Sequence, residues 1–101
     1  MVAGTSRWDA AEHLDSPEAI AAYIDAAMED GDPALVAAAL GDVARALGMT
    51  QIARETGLSR ESLYRALSDE GRPEFATVAK VVKAFGLRLS AVPVGSIPPG
   101  S

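Results

Sequence analysis

The run MTQIARETGLSRESLYRALS, from Met49 to Ser68, constrains this chain more than any other segment. Counting from Met49, the fifth place is Ala53 and the ninth is Gly57. A side chain larger than alanine at the fifth place would hold two short helices too far apart to cross. The ninth falls in the turn between them, where one residue needs a positive φ that glycine reaches without a Cβ clash. Ile52, Leu58, Leu63 and Leu67 supply an inward face, and Leu63 and Leu67, four apart, share one stripe of the second helix. Ser59 is placed to cap that helix by accepting an orphan backbone N–H. The spacing predicts a helix-turn-helix with helices at about 50–56 and 60–67.

The side of the second helix turned away from Leu63 and Leu67 carries Arg60, Glu61, Tyr64 and Arg65, with Ser62 among them. Arginine forks match guanine O6 and N7, and a glutamate accepts from cytosine N4, so these side chains are the candidates for reading base edges. The alternative is an ordinary helical hairpin whose arginines are simply solvated, since exposed arginines are common.

The rest of the chain reads as helices with explicit start and stop signals. Asp15-Ser16-Pro17-Glu18 offers a capping residue, a proline at the first helical position and an acid near the positive end of the helix dipole. Ile20, Tyr23, Ile24 and Ala27 give that helix an apolar stripe. Asp32 and Pro33 repeat the device for a second helix with Leu35, Val36, Ala39, Leu40 and Val43 inward, ending near Gly48. After a turn at Asp69-Glu70-Gly71-Arg72-Pro73, a last helix runs from Glu74 to Phe85 with Phe75, Val78, Val81, Val82 and Phe85 inward and Gly86 as its cap. Residues 87–92 then alternate in a strand-like way and require a partner for their backbone, which a second copy, the segment around Trp8 or another protein could supply. The expected fold is all-α, a five-helix bundle with a short C-terminal strand. Its organisation is an arm over 1–15, a helical domain over 16–92 and a tail over 93–101.

The formal net charge of −5 is unevenly spread. Residues 1–47 carry two basic against nine acidic side chains, a balance of −7, whereas residues 48–101 carry seven against five, a balance of +2. A C-terminal half that meets nucleic acid and an N-terminal half that meets something basic fit that distribution, and a merely solubilising acidic face is the plainer alternative. Cysteine is absent, which removes disulfides and thiolate metal sites and makes a cytoplasmic home the default expectation. No apolar run reaches membrane-spanning length, so no membrane partner is expected. No nucleophile with its base, metal cluster or phosphate loop is legible, so the chain is not expected to be an enzyme or to need a cofactor or metal. His13 is the single histidine and has no companion ligand in sequence. Asp30-Gly31-Asp32 looks superficially like a calcium loop, but Pro33 and the missing downstream ligands make it a helix cap.

The run WDAAEHL followed by SPEAIAAYIDAAMEDGDPALVAAALGDVARALGMTQIARETGLSRESLYRALSDEGRPEFATVAKVVKAFGLRLS resembles the addiction-module antidote family, HigA-like antitoxins with a Cro/C1-type helix-turn-helix. The resemblance spans about Trp8 to Ser90, and no motif position departs from it. It implies a lambda-repressor-like bundle that neutralises a small basic toxin of the RelE/HigB-like fold, typically a ribosome-dependent mRNA endonuclease, and represses the shared operon as a homodimer on operator DNA. By motif position, it assigns Arg60, Glu61, Tyr64 and Arg65 to base edges and Thr50, Gln51 and Ser59 to phosphates. Candidate toxin contacts are Trp8, Asp9, Glu12, Asp15, Tyr23 and Asp25, with Glu29 and Asp30 adding charge and the two aromatics as anchors, although core packing is the simpler role for Tyr23. Candidate dimer contacts are Phe85, Leu87, Leu89 and Ala91. Two alternatives remain: a phage-type regulator without a toxin partner, and a toxin-neutralising protein whose helix-turn-helix is only scaffold.

Overall fold

A computed structural model describes residues 14–68 and 70–94. Among these the chain forms five helices: α1 (Pro17–Asp30), α2 (Pro33–Leu47), α3 (Met49–Thr56), α4 (Arg60–Ala66) and α5 (Phe75–Ala84). Local chemistry sets most of their ends. Ser16 Oγ accepts the Ala19 N–H at 3.1 Å, and Asp32 Oδ1 accepts the Ala34 N–H at 3.0 Å, so both prolines sit one step inside a satisfied cap. At the far end of α5, Gly86 at φ +85° lets its own N–H reach the Lys83 carbonyl and the Leu87 N–H reach that of Val82, a Schellman arrangement.

The helices pack because each presents an apolar stripe to α2 or its neighbours. α1 lies on α2; α3 contacts α2, α4 and α5; and α4 and α5 each touch α2 as well. Leu40, Val43, Ile52, Leu63, Leu67 and Val81 are fully buried where these elements meet. Burying one such side chain contributes about 1.5–3 kcal/mol. The chain bends by 107° between α2 and α3 at Gly48, which directs α3 across the bundle rather than along it. No single helix among the described residues is long and apolar enough to cross a membrane.

Two glycines, one through a close approach and one through its positive φ, hold α4 in place. A Cβ on Gly41 of α2 would fall onto the Leu67 carbonyl, so glycine there lets the end of α4 rest directly on α2. At the other end, Gly57 at φ +78° makes the α3–α4 turn, its N–H bonded to the Ala53 carbonyl at 2.9 Å. Thr56, buried beside it, donates to the Ile52 carbonyl at 2.8 Å and accepts the Leu58 N–H at 3.3 Å, so one hydroxyl joins the end of α3 to the turn.

Two expectations are corrected. Phe75 does not face inward: it is 74 % exposed at the first position of α5, while Val81, Val82 and Phe85 fill the core. Residues 87–94 form no strand in the single chain, and 88–94 make no backbone-to-backbone hydrogen bond among the described residues, because no described segment supplies the pairing backbone. Phe85, a candidate dimer contact, is 5 % exposed and packed into its own core, as its place on the inward stripe of the last helix predicts.

Candidate functional site

The geometry of α4 follows from burying one side and capping one end. Leu63 and Leu67 are 0 % and 1 % exposed, which commits the opposite side of a seven-residue helix to solvent. Ser59 Oγ accepts the Ser62 N–H at 3.0 Å and lies 2.9 Å from Ser62 Oγ, so both serines are engaged in the cap while remaining exposed. Arg60, Glu61, Tyr64 and Arg65 are all exposed, and the structure brings them together on one short helix. The Arg60 guanidinium lies 6.0 Å from the Tyr64 ring centroid, at the outer limit of a cation–π contact.

On α3, Thr50 and Gln51 are exposed, and Gln51 Nε2 donates to Glu55 Oε2 at 3.1 Å. That bond joins exposed residues and leaves the amide oxygen open. Arginine forks, an aromatic edge, hydroxyls and an amide together form a surface suited to hydrogen-bonding a polar, anionic partner.

The acidic candidates behave differently. Asp15 and Asp25 are exposed, whereas Trp8, Asp9, Glu12 and the isolated His13 lie outside the described residues. Tyr23 is half-buried against the core, and its hydroxyl donates to Asp42 Oδ2 at 2.6 Å. Asp42, 6 % exposed, also accepts from Arg45 Nη2 of its own helix at 2.6 Å, so a buried carboxylate held by an arginine one turn on takes the charge-assisted bond from Tyr23 that ties α1 to α2. Of the dimer candidates other than Phe85, Leu87 is half-buried against the core and Leu89 and Ala91 are exposed.

Sequence reasoning passed over Asp42 and Gly41. The available signal was an aspartate inside the apolar run from Leu40 to Ala44, three residues before an arginine. Nothing local marks Gly41 as the seat of the Leu67 carbonyl, because the contact joins residues far apart in sequence. Among the described residues no group of three or more His, Cys, Asp or Glu side chains gathers as a metal site.

The fold and this surface define a small all-helical protein that displays a compact polar face with arginines on one short, well-anchored helix. The chain belongs to a family described as probable addiction module antidote protein, whose pattern matches residues 4–93. An uncharacterised protein of Haemophilus influenzae is 52 % identical to it over 81 residues, covering 80 % of this chain and 84 % of the relative. No solved structure matches the chain at a comparable level. Membership in an antidote family implies a toxin as partner.

Proposed function

We propose that this chain is the antitoxin of a type II toxin-antitoxin system: it neutralises a RelE/HigB-like toxin in the cytoplasm, without enzymatic activity of its own, and represses its operon by sequence-specific DNA binding through α3 and α4. The observation that carries the DNA half of this reading is the exposure of Arg60, Glu61, Tyr64 and Arg65 over a helix whose Leu63 and Leu67 are sealed in the core. In the lambda-repressor-like arrangement α4 enters the major groove, where Arg60 and Arg65 grip guanines, Glu61 accepts from cytosine or orients an arginine, and Tyr64 packs on bases. Thr50, Gln51, Ser59 and Ser62 hold phosphates at its margin. One helix reads few base pairs, so two copies bind a palindrome with half-sites about 34 Å apart.

The test is fluorescence anisotropy of the chain on its own upstream promoter against a scrambled duplex across a salt series. Selective binding that weakens with salt supports repression. Equal, weak binding to both duplexes removes it and leaves α3 and α4 as scaffold for toxin neutralisation, a second reading favoured by the net charge of −5.

A further inference from the structure

The large exposed apolar side chains are not scattered evenly. Met28, Leu89, Val92 and Val94 all line one groove of about 770 Å³ between α1 and the extended residues that follow α5. Val92 and Val94 are 76 % and 99 % exposed, so the apolar side chains of this wall stand open to solvent. Single exposed apolar residues need no explanation, but four on one groove do.

We propose that this groove receives an amphipathic, basic segment of the toxin, with apolar side chains against Met28, Leu89 and Val92 and lysines or arginines against Asp25 and Glu29. The assignment rests on the reading of the chain as an antitoxin. Charge selects the occupant. α1 carries four exposed acids, Glu18, Asp25, Glu29 and Asp30, and no lysine or arginine, and Asp25 and Glu29, four apart on one face, line the groove itself. A second copy would bring its own acidic α1 and only Arg88 from its groove to offset it, so like charges would meet. A basic guest meets complementary charge instead. The backbone of residues 88–94, which makes no backbone-to-backbone hydrogen bond among the described residues, adds donors and acceptors along the same wall for an extended segment. Asp25, named above as a toxin contact, and Leu87 and Leu89, named as dimer contacts, thus belong to one site with one occupant.

The experiment titrates the full chain with the product of the small basic reading frame adjacent to its own, by calorimetry at low and high salt. Three proteins are compared: the parent chain, a chain carrying Asp25→Lys and Glu29→Lys, and a Val92→Asp chain. These side chains are exposed, and unchanged thermal melts confirm folding. Each variant should bind on the order of tenfold more weakly or worse, and the charge pair should also lose most of the salt dependence. If the parent binds and both folded variants bind equally well, the groove assignment is overturned while the antitoxin reading stands. If the parent does not bind, the toxin reading fails and the groove assignment falls with it. If Val92→Asp instead converts a dimer to a monomer in sedimentation and leaves toxin affinity unchanged, the groove belongs to a second copy and the proposal is wrong.

Discussion

The α1–α2 pair and the α3–α4 pair solve the same packing problem with opposite surfaces. Both bury aliphatic stripes against the shared core, but the exposed charges of α1 are all acidic, whereas those of α4 are two arginines and a single glutamate beside an exposed tyrosine. Their internal joints differ too. α1 is tied to α2 by the Tyr23 hydroxyl donating to the buried Asp42 carboxylate, which Arg45 of the same helix as Asp42 also holds, while α3 and α4 are held by apolar contacts, a threonine hydroxyl and glycine positions. Surface charge can therefore differ between halves without disturbing the core, and each half can be tuned toward a different partner.

The largest test of that separation is Leu63→Ala. Emptying a fully buried site should cost about 2–5 kcal/mol, and thermal melts should fall while DNA and toxin binding are lost together. Loss of DNA binding alone, with an unchanged melt, would show that α4 is not integral to the common core. Gly41→Ala forces a methyl onto the Leu67 carbonyl and should destabilise by about 1–3 kcal/mol, read as a lower midpoint in urea. A neutral result would mean that α4 can shift on α2 at little cost.

Arg60→Ala and Arg65→Ala sharpen the comparison from the other side. Each should cost about 1–3 kcal/mol of operator affinity and relax base preference, with melts and toxin affinity unchanged, and competition anisotropy with point-mutated operators checks it. Unaltered affinity and preference in both would remove α4 from base reading. Tyr23→Phe deletes one donor to Asp42 and should lower stability by about 1.5–3 kcal/mol, with operator preference intact in the folded fraction. The smallest effect belongs to Ser59→Ala, about 1 kcal/mol from loss of the α4 cap, measured as a Tm drop of roughly 4–8 °C.

Helix positions and the exposed face of α4 were readable from residues because their causes are local. Ser16, Asp32 and Ser59 cap as their neighbours imply, and Leu63 and Leu67 bury as a four-residue spacing demands. The acidic side was only partly legible. The charge of α1 is plain in the sequence, but Tyr23 proved to be half core and half hydrogen-bond donor, and the groove beside Asp25 joins residues about sixty positions apart.

Phe75 and Phe85 draw the line most clearly. Both sit at apolar places in one helical pattern, yet one is 74 % exposed and the other 5 %. Periodicity tells which residues share a face of a helix; it does not say whether another helix is there to cover each end of that face. The strand-like alternation of 87–92 is similar, for a strand exists only when another backbone supplies its hydrogen bonds, and here none of the described residues does. Caps, turns and helix lengths were thus settled by interactions within a few residues. Burial of Asp42, the seat of Leu67 on Gly41 and the groove beside α1 were decided only when separate elements met, because their energies depend on atoms that sequence order does not bring together.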